Sequence, residues 1–366
     1  MSGRVTISDV ADALGIAKGT VSRALNDYPD ISDATRQRVR RKAEAMGYHP
    51  LAHAQAIRTG RSRAIGLVLQ TDIAGAQRPF LSDFLAGVSK EASAASWTLT
   101  VATSAGGAEM LATMERLINE RKADGFIVPR TFSDDPRANL LRCLHVPFVL
   151  YGRLSDIQDS AWFDILGEDA MCDAVLRLAQ YGHQKIGFVN GGLEYNFSQI
   201  REDGFREGMR QAGLQADPRI MTAGAMTSEA GAKATRELMS SPEPPTAIVF
   251  AVDVAALGAY AAAEDFGLAI GKDLSVISYD GIPECEWVRP KLTSFRVDSQ
   301  MAGRRLAELL IRNVRGEDPS TLRETAKATL WPGGSDGPPT RTSDEIARHI
   351  RAGDTFTSCE PTGGQA

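Results

Sequence analysis

From residue 64 onward, the sequence alternates short continuous apolar runs with longer amphipathic segments. The apolar runs that we predict as strands lie at residues 65–69, 99–102, 126–128, 148–151, 186–189, 248–252 and 274–278. The segments that we predict as helices lie near residues 80–96, 108–122, 169–181, 199–212, 228–240 and 254–266. Strands that are apolar on both faces belong to parallel sheets covered by helices. Right-handed crossovers then give a doubly wound α/β body, and a body of this length favours two lobes.

The first 60 residues have a different pattern, that of three short helices and a fourth, weaker one at residues 51–57. An apolar stripe at helical spacing predicts the first helix and consists of Ile7, Val10, Ala11 and Leu14. Thr6 is a good N-cap for this helix, and Gly15 is a usual C-terminal residue. Two further stripes predict a second helix that ends near residues 26–27 and a third helix that Ser32 caps and Gly47 ends. We therefore predict a small all-α head in front of the α/β body.

Charge is distributed unevenly between these two parts. Residues 1–63 contain eleven Lys and Arg and six Asp and Glu, whereas the whole chain has a formal net charge of −5. A basic head on an acidic body indicates a polyanion partner for the head, and a solvated basic helix is the alternative. Two helices separated by a turn at residues 15–17 fit a helix-turn-helix, whose second helix enters the major groove of DNA. The head is thus predicted to bind double-stranded DNA.

The composition excludes several other classes of protein. No run of about 18 apolar residues occurs, so we predict no transmembrane helix and no membrane partner. The N-terminus lacks the apolar stretch of a signal peptide. The four cysteines are scattered and form no C-x-x-C pair, which is typical of a reducing compartment and argues against a zinc or disulfide framework. We expect a cytoplasmic protein with no metal site and no cofactor.

The head motifs are in the register of a known family. Val21-Ser22-Arg23 followed by Asn26, and then Gly47-Tyr48-His49-Pro50, resemble the LacI family of bacterial repressors. The resemblance implies that Lys18, Gly19 and Arg23 occupy the base-reading positions, and Lys and Arg commonly donate to guanine. The groups suited to contacts with the DNA backbone are Thr6, Thr20, Ser22, Asn26, Tyr28, Ser32, Arg36 and Tyr48. A role in a turn or a helix cap is the alternative for Thr20, Ser22, Asn26, Tyr28, Ser32 and Tyr48.

The resemblance also implies a division of the chain into domains. Residues 50–58 match the family's hinge helix, in which paired helices of two subunits insert an apolar wedge into the minor groove, and by register this wedge is Ile57. The implied parts are a helix-turn-helix head at 1–49, a hinge helix and linker at 50–63, a periplasmic-binding-protein-like effector-binding and dimerisation domain at 64–331, and a mobile tail at 332–366. A short helix near 343–351 is a candidate within this tail. The predicted lobes are approximately 64–161 with 293–320, and 162–292 with 321–331.

The body is similar to the sensor domain of the same family, which binds a small effector between its lobes. Ser278-Tyr279-Asp280-Gly281 is in family register, and Arg201 matches the family's effector-binding arginine. Val252 stands where Asn is usual, which removes one polar contact. Sugars are bound by carboxylates and guanidinium groups with an aromatic wall. The candidate effector residues are Phe80, Arg153, Trp162, Asp164, Tyr195, Phe197, Arg201, Asp253, Asp280 and Trp287.

The predicted function is a dimeric repressor of genes for sugar uptake or catabolism, released from its operator by a small effector. A sugar, with α-glucosides as a candidate class, is favoured over a nucleobase, and a tetramer is the alternative assembly. A free-standing sugar-binding protein is an alternative function, although the basic head argues against it. An enzyme is the other alternative, but no G-x-S-x-G, P-loop or H-E-x-x-H motif occurs.

Overall fold

The computed structural model describes residues 5–48, 61–71, 78–154 and 159–357. The chain divides into two compact units, residues 1–63 and residues 64–366. Each unit has its own hydrophobic core. Residues 49–60, which include the predicted wedge Ile57, lie outside the described residues.

The first unit contains three helices: α1 (Ile7–Leu14), α2 (Lys18–Leu25) and α3 (Asp33–Ala45). The hydroxyl of Thr6 accepts a hydrogen bond from the amide of Asp9, and the Asp9 carboxylate accepts one from the amide of Thr6. This reciprocal pair satisfies two amides at the start of α1. Gly15 ends the helix in the left-handed conformation, with φ 63°. The apolar stripes of the three helices meet in a small core formed by Val10, Ala11, Val21, Ala24, Val39 and Ala43.

The second unit alternates strands and helices. Its strands are β1 (Ala64–Gln70), β2 (Thr98–Ser104), β3 (Gly125–Pro129), β4 (Phe148–Tyr151), β5 (Ala161–Ile165), β6 (Ile186–Val189), β7 (Met221–Thr222), β8 (Ala247–Phe250), β9 (Ser275–Asp280), β10 (Thr293–Arg296), β11 (Arg323–Ala326) and β12 (Thr329–Trp331). Its helices are α4 (Arg78–Ala94), α5 (Gly107–Asn119), α6 (Pro136–Cys143), α7 (Gly167–Gln180), α8 (Asn196–Gln211), α9 (Ser228–Met239), α10 (Asp253–Asp265), α11 (Ser299–Val314) and α12 (Ser343–Thr357). No helix in the described ranges is long and apolar enough to cross a membrane.

The strands form two six-stranded sheets, one in each lobe. The order is β11-β5-β4-β3-β1-β2 in lobe one and β12-β10-β9-β8-β6-β7 in lobe two. All neighbouring strands run parallel except β12, which is antiparallel to β10. The carboxyl ends of parallel strands lie at one edge of a sheet, and in doubly wound folds this edge carries the ligand site. The predicted fold class, an all-α head followed by a two-lobed doubly wound α/β domain, is confirmed.

The predicted lobe boundaries are wrong in detail. Strands β5 and β11 belong to the sheet of lobe one, and β10 belongs to that of lobe two. Lobe one therefore contains the strands and helices within residues 64–165 and 299–326, and lobe two contains those within 167–296 together with β12 and α12. Strand β10 is hard to recognise in the sequence because two of its three buried residues, Thr293 and Ser294, are polar. Their hydroxyls donate to buried carboxylates, which removes the cost of burying them.

The prediction of a mobile tail from residue 332 is also wrong for the described part. The hydroxyl of Ser335 donates to the carbonyl of Val276 at 2.6 Å, and its oxygen accepts from the amide of Thr293 at 2.8 Å. Helix α12 then buries Ile346 and Ile350 in the core of lobe two. Only a few residues of the segment, such as Ser335 and Ile346, bind it to lobe two. Because the rest of the segment is rich in Gly and Pro, its composition does not indicate this packing.

Candidate DNA-reading head and effector cleft

The predicted base-reading residues Lys18, Gly19 and Arg23 all lie on α2, the second helix of the helix-turn-helix. A Cβ atom added to Gly19 would meet no atom within 4 Å, so the surface at this position is open. Ala17, at the N-cap, provides no side-chain hydrogen bond to the helix. The first amides of α2 therefore lack a side-chain acceptor at the N-cap, and an anion can interact with them favourably.

The side chain of Arg23 is held at its tip by neighbours in the following loop. Its guanidinium donates to the carboxylate of Asp30 and lies 5.8 Å from the ring centroid of Tyr28. About half of the Arg23 side chain is exposed, as is 40% of Tyr28. These are accessible groups, as direct base readout requires.

Several residues predicted to contact the DNA backbone are engaged within the head. Thr6 caps α1 and Ser32 caps α3, each accepting from the amide three residues later. The side-chain amide of Asn26 donates to the carbonyl of Ser22 at 2.6 Å. Arg36 donates to the carbonyls of Tyr28 and Ile31 at 3.1 Å each, and only 19% of its side chain is exposed. Thr6, Asn26 and Ser32 thus act within the head as the cap or turn alternative describes, and Arg36 binds the loop before α3.

The second unit contains a cavity of about 620 Å³ between the two lobes. Five of the predicted effector residues line it: Arg153, Asp164, Phe197, Arg201 and Asp280. Lining residues that are not among the predicted effector residues include Arg130, Thr131, Tyr151, Asn196, Tyr279 and Arg296. Most of these residues follow or end a strand, so their position at the carboxyl edge of a sheet was a usable signal. Val252 also lines the cavity and gives it an apolar contact.

Four predicted effector residues do not line this cavity. Trp162 shares a sheet face with Asp164 but lies two residues earlier in β5, away from the carboxyl edge, and packs in the core of lobe one. Trp287 is 71% exposed, and Asp253 is fully buried. Tyr195 is buried beside the cavity and lines a separate space of about 30 Å³. The side chain of Phe80 lies outside the described residues.

Two guanidinium–carboxylate groups line the cavity, one on each lobe. On lobe one, Arg153 donates to Asp164 of the same lobe and to Glu168 of lobe two, at 2.6 Å each. On lobe two, a guanidinium nitrogen of Arg201 lies 3.6 Å from a carboxylate oxygen of Asp280. The same guanidinium lies 4.0 Å from the ring centroid of Tyr279 and 4.6 Å from that of Phe197. Each lobe thus offers both donors and acceptors to a ligand.

Burial changes the ionisation of both cavity carboxyl groups. Loss of solvation raises the pKa of Asp280 to about 7, although the nearby Arg201 guanidinium opposes this. Burial likewise raises the pKa of Asp164, while Arg153 lowers it. Residues with shifted pKa values in a cleft are typical of functional sites. The backbone of Asp280 has φ 124°, an unfavourable value for a residue with a side chain.

Residues of both lobes join at one side of this cavity. The side-chain amide of Asn196, on lobe two, donates to the carbonyl of Arg153 at 2.6 Å. The backbone amide of Asn196 donates to the carbonyl of Thr131 at 2.9 Å. Both acceptors lie in loops of lobe one that follow strands of its sheet. The joint therefore depends on the relative position of the lobes.

Comparison with known proteins gives matches to both units. Residues 6–51 match the family model for bacterial regulatory proteins of the lacI family, and residues 175–335 match a periplasmic binding protein-like domain. The HTH-type transcriptional regulator AglR of Rhizobium meliloti is 33% identical over 340 residues, which cover 91% of this chain and 95% of AglR. The chain belongs to the LacI family of bacterial regulatory proteins.

Other relatives agree with this assignment. The HTH-type transcriptional repressor CytR of Escherichia coli is 31% identical to this LacI-family protein over 317 residues, covering 85% of this chain and 90% of CytR. The solved structure of a transcriptional regulator CelR–cellobiose complex has a TM-score of 0.70 and 27% identity, and covers 91% of this chain and all of that one. AglR is described as an HTH-type transcriptional regulator and CytR as an HTH-type transcriptional repressor. The predicted family is confirmed.

Proposed function

We propose that this LacI-family regulator represses genes for sugar uptake or catabolism, and that a sugar bound in the cavity releases it from its operator. The observation that carries the proposal is the pairing of guanidinium and carboxylate groups on both walls of the cavity. A sugar hydroxyl both donates and accepts, so it is complementary to such pairs. The CelR structure, whose description names cellobiose, supports the same ligand class.

The size and the aromatic groups of the cavity also favour a sugar. A volume of about 620 Å³ is within the usual range for small-molecule sites. Tyr151, Phe197 and Tyr279 supply aromatic surface to the lining, against which the apolar face of a sugar ring can pack. The cavity has room for more than one sugar ring, and glycosides, including α-glucosides, are the first compounds to test.

On the DNA side, we propose that Arg23 and Lys18 read base edges while nearby polar groups contact phosphates. Ile57 is proposed as the minor-groove wedge of a hinge helix that pairs with a second subunit. The acting species is then a homodimer, with a tetramer as the alternative. Because sugar and operator both act on the lobe arrangement, their effects on each other's binding must be reciprocal.

The experiment begins with selection of the preferred operator from random double-stranded DNA. Fluorescence anisotropy then measures operator affinity in the presence of glucose, cellobiose, maltose, sucrose and adenine separately. We expect one of the sugars to lower operator affinity at least tenfold. Response to adenine alone would overturn the sugar assignment, and failure to select any DNA sequence would overturn the repressor assignment in favour of a free-standing binding protein.

A further inference from the structure

Asp253 has an unusual set of hydrogen bonds for a residue near a ligand cavity. It is the first residue of α10, and its side chain is fully buried. One carboxylate oxygen accepts from the backbone amides of Gly281 and Ile282, at 2.6 and 2.9 Å. The other oxygen accepts from the hydroxyl of Ser294 at 2.7 Å and from that of Ser278. A single carboxylate therefore binds the end of β9, the loop after it, and the neighbouring strand β10.

The loop that Asp253 binds is the one that carries Asp280 into the cavity. Asp280 has φ 124°, and the next residue, Gly281, has φ 75°. Such backbone conformations persist only where the surroundings hold them. Bonds to the two amides that directly follow Asp280 are the most direct means of holding this turn, because they fix the peptide units next to it.

We propose that Asp253 is a positioning residue of the effector site: without touching the effector, its carboxylate holds the strained turn that presents Asp280 to the cavity. The inference rests on the proposed function, in which Asp280 binds the sugar. It also explains why an acidic residue lies next to the cavity yet contributes no surface to it.

The charge of Asp253 has a second effect on Asp280. The groups that interact electrostatically with the Asp280 carboxyl are Arg201 on α8, Arg130 after β3, Asp253 on α10, Tyr151 on β4, Tyr279 on β9 and Cys285 in the short helix after β9. Burial and the charge of Asp253 raise the pKa of Asp280, whereas Arg201 and Arg130 lower it. Replacement of Asp253 by Asn should therefore lower the pKa of Asp280. The shift requires the two carboxyl groups to be held close together, as the hydrogen bonds from Gly281 and Ile282 to Asp253 require.

A suitable experiment follows the Asp280 carboxyl directly and needs no effector. The full chain is labelled with ¹³C at Asp carboxyl carbons, and the Asp280 signal is assigned by its loss in Asp280→Asn. We expect the wild-type signal to titrate near pH 7, as its pKa of about 7 implies, and the signal of Asp253→Asn to titrate at lower pH. The matched control is Cys285→Ala, because the Cys285 thiol donates to the same carboxylate at 3.3 Å but carries neither its charge nor the backbone bonds. The control should titrate as the wild type does.

An unchanged Asp280 titration in a folded Asp253→Asn variant would overturn the proposal. If that variant does not fold, hydrogen exchange of the wild-type amides of Gly281 and Ile282 decides, since both should be protected by the carboxylate. Exchange as fast as in an exposed loop would overturn it as well. Failure of the proposed function looks different: Asp280→Asn would then leave the sugar response intact even though the titration shift in Asp253→Asn is observed.

Discussion

Phe132 in lobe one and Tyr195 in lobe two form an isolated antiparallel β-bridge, and their ring centroids lie 5.2 Å apart with the planes 18° from parallel. The contact is one link in a row of stacked groups. The guanidinium of Arg137 lies 4.9 Å from the ring centroid of Phe132, and the ring of Phe197 stacks on Tyr195 at 5.4 Å. The guanidinium of Arg201 in turn lies over Phe197. The row therefore connects lobe one to Arg201, a residue proposed to bind the effector.

Replacement of Phe132 by Ala should weaken this joint between the lobes. A stacked aromatic pair contributes about 0.5–1.5 kcal/mol beyond its buried area. We therefore expect the variant to bind the inducing sugar roughly 2- to 12-fold more weakly, because every 1.4 kcal/mol is tenfold in affinity. Calorimetry measures the affinity, and Leu193→Ala is the control, since Leu193 lies two residues before Tyr195 in the chain but is 67% exposed. Equal affinities in the two variants would contradict a role for the stack.

Arg201→Ala and Asp280→Ala should separate sugar response from DNA binding. Each removes one partner of a partly buried pair and leaves the other without its counter-charge, a loss on the order of 2 kcal/mol in sugar affinity. The head contains neither residue, so operator affinity without sugar should stay within twofold of the wild type. Anisotropy with operator DNA measures this, and calorimetry measures the sugar. Binding heats equal to those of the wild type in both variants would remove the pair from the site.

The raised pKa of Asp280 predicts a pH-dependent stability. Its value of about 7 in the native state is above its usual value near 4, so the native protein binds a proton more tightly than the unfolded chain does. The contribution of this group to stability is therefore present below pH 4 and falls as pH rises from 4 to 7. Asp280→Asn removes this dependence, so its melting temperature should exceed that of the wild type at pH 8 and equal it at pH 4. A difference that does not change with pH would contradict the assignment.

The sequence predicted most of the fold because its main signals are local. Strand β4 and strand β6 begin and end at the predicted residues, since continuous apolar runs mark strands buried on both faces. Strand β10 and helix α11 were not predicted. The polar residues of β10 pair with carboxylates from distant parts of the chain, such as Asp253, and no local pattern reports these partners.

The candidate site was predicted only in part, for a related reason. Arg201 and Asp280 lie in motifs of the family, and both line the cavity. The prediction of Trp162 and Trp287 rests on residue type alone. Trp162 lies near the start of its strand and Trp287 lies on the surface, so neither lines the cavity. Asp253 is a candidate effector residue in the sequence, but its carboxylate bonds within lobe two instead. Which way an acidic side chain points at a helix N-terminus depends on the donors around it, and these lie 25 to 41 residues away in the sequence.

Arg23→Ala tests base reading by the head. Loss of a bidentate contact to a base should cost about 1–3 kcal/mol of operator affinity and relax the preference at one base pair. The control is Arg41→Ala on α3, an exposed arginine whose guanidinium donates to Gln37. Arg41 is placed to contact a phosphate at most, so its replacement should weaken binding to all DNA sequences alike and reduce the dependence of affinity on salt. Unchanged discrimination between operator variants in Arg23→Ala would contradict the assignment of α2.

Arg36→Ala should act on the stability of the head, in contrast to the phosphate contact that the sequence predicted for it. Arg36 donates to the carbonyls of Tyr28 and Ile31 and pairs with Asp33, so its removal leaves the loop before α3 without these bonds. We expect the head to unfold at a lower temperature and the body to unfold at the same temperature as in the wild type. Circular dichroism during heating measures both transitions. An unchanged head transition combined with a weaker salt dependence of DNA binding would favour the phosphate contact instead.

Ile346→Ala tests whether the C-terminal helix α12 stabilises lobe two. The side chain of Ile346 is fully buried in the core that includes Ile350, Leu268 and Leu274. Truncation of a buried isoleucine to alanine costs about 2–5 kcal/mol, because it removes packing and leaves a cavity. Unfolding in urea should show this loss, whereas the control Arg348→Ala, an exposed residue on the same helix, should change the free energy of unfolding by less than about 0.5 kcal/mol. Equal stabilities of the two variants would mean that α12 does not contribute to the core. A stabilising α12 makes the segment after residue 332 part of the folded lobe, so a chain truncated before Ser335 should lose stability even though the strands of the cavity edge remain.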